Sequence, residues 1–204
     1  MSSGDPMCEP LNARLNQILP KITSEDFLRG HGIGNEIAFH IFDYPPEDEL
    51  AVREHIDFLL AHIHKRKPGL KVGHVNLFEL VLDYLRSRKL LEKSLELQRA
   101  RGNEALLKAL KGVLNEVKIA ARFGEVTKPE EQDLILISGV GSVYPMLRSH
   151  TLLSNLHSVM GQTPLVMFYP GRYDRTALQL FGKTGLAGDR QGSSRYYRAF
   201  RLID

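Results

Sequence analysis

The chain has 204 residues, 43% of them hydrophobic and 25% charged, with a formal net charge of +3. That balance is typical of a soluble globular protein, long enough to bury about 70% of its unfolded surface, and no apolar run approaches the ~20 residues of a membrane span. The single Cys8 excludes an internal disulfide, and Met1 to Pro6 has neither a basic nor an apolar segment of a secretory signal, so a cytoplasmic location is expected.

In chain order, residues 1–10 read as a flexible N-terminus and Leu11 to Phe27 as an amphipathic helix interrupted at Pro20. Thr23-Ser24-Glu25-Asp26 supplies a cap and first turn for a second helical piece. Gly30, Gly32 and Gly34 space a loop before the first strand, Ile37 to Phe42. Asp43-Tyr44-Pro45-Pro46 turns the chain into a helix from about Glu47 to Lys65, with Val52, Ile56, Leu59, Leu60 and Ile63 on one stripe. Pro68-Gly69 ends it.

Lys71 to Leu77 is the second strand. A helical region follows from about Phe78 to Arg122, broken near Arg88 and at Gly102-Asn103. Asp133 to Ile137 is an apolar run without alternation, which fits a strand buried on both faces. It opens into Ser138-Gly139-Val140-Gly141-Ser142, then a helix carrying Arg148, Ser149 and His150. The fourth strand, Leu165 to Phe168, opens into Tyr169-Pro170-Gly171-Arg172-Tyr173-Asp174. Lys183 to Ser194 reads as a mobile loop, and Tyr196 to Ile203 as a fifth strand.

Strands alternating with helices imply right-handed crossovers and a mainly parallel sheet. The expected fold is α/β: a five-stranded, mainly parallel sheet with flanking helices, forming one domain over 11–204. A basic helical insertion is expected at about 87–123; from Arg86 to Arg122 there are ten basic residues and four acidic ones. The reverse imbalance, seven acidic residues to one basic, runs from Asn35 to Leu60. A chain polarised in this way can steer acidic partners or nucleic acid toward its basic face.

Catalytic patterns do not assemble. A phosphate-binding loop after the first strand needs Gly-rich backbone and a Lys. That place holds Asp43-Tyr44-Pro45-Pro46-Glu47-Asp48-Glu49 instead, with two prolines and four carboxylates. If the sheet descends from a P-loop NTPase, it is a degenerate form without its phosphate site. Gly139-Val140-Gly141-Ser142-Val143 lacks the second glycine of a nucleophile elbow. His150 and Asp174 complete a Ser142 triad on paper, with nothing to fix its geometry. His62 and His64 cannot share a helical face, and one cysteine argues against structural zinc. Neither a cofactor nor a metal is expected.

What remains is a surface. Tyr144, Arg148, His150, Tyr169, Arg172, Tyr173, Asp174, Tyr196, Tyr197 and Arg198 fall at strand ends and on the last strand. Tyr and Arg bring large contact area with polar handles, so they concentrate at binding hot spots.

Gly34-Asn35-Glu36-Ile37, Phe42-Asp43-Tyr44-Pro45-Pro46-Glu47-Asp48-Glu49-Leu50, Leu152-Leu153-Ser154-Asn155-Leu156-His157, Phe168-Tyr169-Pro170-Gly171-Arg172-Tyr173 and Tyr196-Tyr197-Arg198-Ala199-Phe200 together resemble the BrxB family of BREX (bacteriophage exclusion) systems. The resemblance spans nearly the whole chain from about Leu11. It implies a genetic setting that includes a large ATPase, an adenine-specific DNA methyltransferase and PglZ, an alkaline-phosphatase-like protein. It brings no catalytic residues. The expected role is therefore a non-enzymatic scaffold that docks PglZ or the large ATPase and supports phage restriction and host DNA methylation. Two alternatives stand beside it: DNA contact through the basic helices from Arg86 to Arg122 or the C-terminal arginines, and a residual nucleotide-sensing or hydrolytic site at the strand ends.

Overall fold

The computed structural model describes residues 9–29, 39–174, 178–181 and 199–203, with residue 150 described by its backbone alone. Seven helices and six strands occur among these residues. In chain order they are α1 (Leu11–Ile22), α2 (Glu25–Leu28), β1 (Phe39–Tyr44), α3 (Glu49–Arg66), β2 (Val72–Asn76), α4 (Leu77–Ser87), α5 (Leu91–Leu110), α6 (Glu116–Thr127), β3 (Leu134–Ser138), α7 (Ser149–Met160), β4 (Leu165–Tyr173), β5 (Leu178–Leu180) and β6 (Ala199–Arg201).

The sheet order is β2-β3-β4-β1-β6, and every neighbouring pair along it is parallel. The expected parallel α/β architecture is therefore present. Each inner strand is buried on both faces, which explains its unbroken apolar sequence. Phe39 and Ile41, Ile135 and Ile137, Leu165 and Met167 pack on one side against α4, α6 and α7. Phe42 and Tyr44, Leu134 and Leu136, Val166 and Phe168 pack on the other against α1 and α3. The α3 stripe of Val52, Ile56, Leu59 and Ile63 is fully buried there, as its spacing requires.

Local signals set the helix starts. Asn76 Oδ1 accepts the Phe78 and Glu79 amides at 3.0 and 3.4 Å, Asn115 Oδ1 accepts the Val117 amide at 2.8 Å, and Ser24 Oγ accepts the Phe27 amide at 3.4 Å. α4 ends at Ser87, and Gly102 has non-helical angles inside α5, so both expected breaks occur.

Several boundaries differ from expectation. Pro20 does not interrupt α1; it sits in the last turn, where the helix continues to Ile22. Asp133 precedes its strand, with Oδ2 accepting the Lys71 amide at 2.8 Å. β4 runs five residues beyond Phe168, to Tyr173. Its extension pairs antiparallel with β5, a three-residue strand without a sequence signal of its own. Of the expected fifth strand, β6 at Ala199–Arg201 is seen beside β1. The glycine-spaced loop at Gly30 to Gly34, the 183–194 loop and residues 196–198 lie outside the described residues.

Candidate functional site

In a parallel sheet, each crossover helix starts at the C-terminal ends of the strands, and open α/β proteins place ligands there. α3, α4 and α7 begin at that edge here. The N-terminus of α6 joins them, because Glu116 Oε1 accepts the Arg148 amide at 3.4 Å.

The chain fills this edge with its own hairpin. Extended β4 and β5 fold over the ends of β3 and β1. Phe181, just after β5, donates its amide to the Pro170 carbonyl at 3.1 Å. Its ring meets Tyr144 edge-on, with centroids 6.0 Å apart. The fit is close: a Cβ on Gly141 would lie 2.9 Å from Pro170 Cγ and 3.2 Å from Phe181 Cε1. A Cβ on Gly171 would fall well inside contact distance of the Gln179 carbonyl oxygen.

Beneath the hairpin lies a buried charge network. Asp43 Oδ1 accepts from Arg14 Nη2 at 3.0 Å, and Oδ2 accepts the Tyr173 amide at 3.0 Å and Arg201 Nη2 at 3.3 Å. Arg201 also donates to the Tyr173 carbonyl. The Tyr173 hydroxyl donates to the Ala199 carbonyl at 2.7 Å. The sequence reading placed Asp43 in an acidic turn, gave Arg14 no role and counted Arg201 only among C-terminal arginines offered as a DNA contact. A lone carboxylate in an apolar strand was the available signal, since buried charges need partners.

Asp43 and Tyr44, expected in the turn, are buried residues of β1 instead, and only the later acids behave as the sequence implies. Glu47, Asp48 and Glu49 occupy a 3-10 turn and the first residue of α3, where carboxylates complement the helix dipole. Tyr44 donates its hydroxyl to Glu49 Oε2 at 2.6 Å. Burial and this bond push the Tyr44 phenol well above its ordinary pKa. Glu49 also pairs with Arg53 at 2.8 Å, and Arg53 reaches Ser142 Oγ at 3.5 Å.

The ten residues singled out from the sequence divide sharply. Arg148, Arg172 and Asp174 are exposed, and Tyr144 is half-buried. Tyr169 and Tyr173 are corrections to the surface reading, because both side chains are fully buried. They stand in the β4 extension, which the sequence reading took for a loop. His150 lies in the first turn of α7. Tyr196, Tyr197 and Arg198 are outside the described residues.

Exposed apolar side chains add to this edge. Leu50, Phe78, Val117 and Phe181 are exposed on the first turns of α3, α4 and α6 and after β5. The sequence reading missed them because Leu50, Phe78 and Phe181 stand beside apolar residues that are buried, such as Val52 and Leu77, or partly buried, such as Leu180, and only the fold shows which of these neighbours is exposed. His74, expected from its strand position to be hydrogen-bonded within the fold, is paired through Nε2 with Ser138 Oγ at 2.9 Å, which ties the middle of β2 to the end of β3. Among the described residues, no three His, Cys, Asp or Glu side chains are grouped to hold a metal ion. No described helix is long and apolar enough to cross a membrane.

The basic helices do not form one positive stripe. α5 carries Lys93, Arg99, Arg101 and Lys108, but Glu92, Glu96 and Glu104 alternate with them. Arg86 pairs with Asp83 at 2.5 Å, and Arg122 with Glu125 at 3.0 Å.

Fold and edge together define a parallel α/β protein whose C-terminal rim carries its own antiparallel β4-β5 pair and exposed Arg and apolar side chains. A family profile described as "BREX protein BrxB" matches residues 73–202. A BREX protein BrxB of Bacillus cereus (strain H3081.97) is 39% identical over 198 residues, covering 95% of this chain and 98% of the relative. Another, of Escherichia coli O9:H4 (strain HS), is 42% identical over 198 residues, covering 97% and 94%. The chain belongs to the BrxB family of BREX phage-defence systems. No solved structure matches it.

Proposed function

We propose that this chain is a non-catalytic docking component of a BREX assembly, working in the cytoplasm and binding PglZ or the large ATPase through the C-terminal rim of its sheet. Through those contacts it supports phage restriction and host DNA methylation. The observation that carries the reading is the rim itself. At the strand ends, Gly141 packs against Pro170 and Phe181, and Gly171 against Gln179 and Tyr169. On the same rim, Tyr144, Arg148, Arg172, Asp174, Val117 and Phe181 offer the mixture of apolar area and charge typical of protein interfaces.

The close packing of Gly141 against Pro170 and Phe181 weighs against a nucleotide or hydrolytic site beside the loop after β3. The alternating charge of α5 weakens the DNA reading, since duplex binding relies on many uncompensated cations.

Co-purification with each BREX protein of the same system tests the proposal. The expected result is a stable complex with PglZ or the ATPase that is lost when Arg172→Glu and Phe181→Ala are combined in a folded chain. A chain that stays alone with every partner overturns it.

A further inference from the structure

A second surface runs from the first turns of α3 and α4 along the outer face of α3 and the corner of the sheet at β2. Helical geometry puts Leu50, Glu54, Asp57 and Phe58 on one outward stripe, opposite the buried Val52, Ile56, Leu59 and Ile63. Leu50 is 71% exposed and Phe58 44%. The Phe58 ring stacks on His62 at 4.1 Å and tilts toward His55 at 5.4 Å, which holds it in place on the surface.

The stripe continues onto the next elements. Burial lowers the pKa of His74 on the edge strand β2, and Asp57 of α3 and Glu79 of α4, both close to its ring, oppose that shift. Phe78, beside Glu79, is a third exposed apolar side chain. Glu54, Asp57 and Glu79 form no ion pair among the described residues, whereas Glu49, at the head of α3, is paired with Arg53. The corner thus combines three unneutralised carboxylates with Leu50, Phe58 and Phe78.

We infer that this corner is a second docking surface, which takes a cationic amphipathic segment of a protein partner: apolar side chains on Leu50, Phe58 and Phe78, and Lys or Arg on Glu54, Asp57 and Glu79. Charge selects this occupant. The carboxylates repel nucleic acid and anionic lipid alike. Exposed apolar side chains among like charges suit an amphipathic segment laid along a helix face, with the charge pairs setting its register. With one partner on Arg172 and Phe181 of the hairpin and another on this stripe, the chain would bridge two partners. The inference extends the docking reading: Leu50 and Phe78 start at the same sheet edge, but Glu54, Asp57 and Phe58 of α3 belong to this surface alone.

Fluorescence anisotropy with a helical Leu/Lys peptide, and a Leu/Glu peptide of the same apolar pattern as control, tests it. The Leu/Lys peptide should bind and the Leu/Glu peptide should not. Glu54→Lys with Asp57→Lys should weaken binding at least about tenfold, and so should Leu50→Ser with Phe58→Ser. All four residues are on the surface, and a melting curve for each variant confirms folding. The rim variant, Arg172→Glu with Phe181→Ala, should bind the peptide unchanged. Equal binding of the two peptides overturns the inference, as does full binding after either pair of α3 substitutions. Peptide binding lost with the rim variant alone also overturns it while leaving the rim proposal intact. Loss of partner capture by the rim variant, with peptide binding retained, separates the two in the opposite sense.

Discussion

Arg14 and Asp43 stand 29 positions apart in the chain, yet their side chains meet at 3.0 Å with 2% and 1% exposure. The guanidinium of Arg14 also lies over the Phe42 ring, 4.8 Å from its centroid. Arg201 approaches the other oxygen of the same carboxylate at 3.3 Å. One carboxylate on a central strand thereby fastens the first helix, the last strand and the start of the hairpin. A buried ion pair adds little net stability over an apolar replacement, but removal of one member leaves the others charged and desolvated.

Asp43→Asn should therefore destabilise the fold by roughly 3–5 kcal/mol, more than a surface substitution could. Urea denaturation of both proteins measures this. Replacing all three members with apolar residues should restore part of the loss. A deficit under about 1 kcal/mol for Asp43→Asn would mean that the network is not a structural hub.

Acid should weaken the protein through His40. Its ring lies between Phe27 at 4.6 Å and Phe200 at 5.8 Å. Burial, aided by Lys21, lowers its pKa from the ordinary 6.5 to about 4. As pH falls through 6.5 the unfolded chain takes a proton and the folded chain does not. Stability that is complete above the unfolded value is thus lost as pH falls toward about 4, by roughly 2–3 kcal/mol at this site. His55 and His157 shift in the same direction by burial. His40→Gln should flatten the curve between pH 6.5 and 4 relative to the parent chain. Parallel curves for the two proteins would place the acid sensitivity elsewhere.

The hairpin depends on Gly171. Any side chain there meets the Gln179 carbonyl and the Tyr169 ring. Gly171→Ala should force β5 away from β4 at a cost of roughly 1–3 kcal/mol. Because β5 carries Phe181 into the rim, partner capture should fall with it. Hydrogen exchange of the Phe181 amide, bonded to the Pro170 carbonyl, reports the change directly. Unaltered protection there would show that the hairpin tolerates the added methyl.

Much of the scaffold was legible before any coordinates. Unbroken apolar runs such as Leu134 to Ile137 announce strands buried on both faces, and the α3 stripe announces a helix with one wet side. The rim was less legible because its organisation is tertiary. Tyr169 and Tyr173 flank a proline and a glycine, a local pattern that suggests a loop; the antiparallel partner that makes them strand is β5, too short to signal itself. The pairing of Arg14 and Arg201 with Asp43 joins opposite ends of the chain, and no local window contains it. Leu50 and Phe58 were hidden for another reason: single exposed apolar residues are common, and only the fold shows which of them share a face.

Arg172 and Tyr173 are neighbours that should fail in opposite ways. Successive residues on a strand point to opposite faces, and Arg172 is exposed while Tyr173 is fully buried. Tyr173→Ala removes a packed ring and the hydroxyl that reaches the Ala199 carbonyl at 2.7 Å. It should cost roughly 3–5 kcal/mol and lower the amount of soluble chain. Arg172→Ala should change stability by no more than about 1 kcal/mol. Its defect should appear instead in phage protection, measured as plaquing efficiency on cells whose only copy of the chain carries the substitution. The pair isolates docking from folding: if Arg172→Ala protects as well as the parent while Tyr173→Ala fails through instability alone, the rim is not where partners bind.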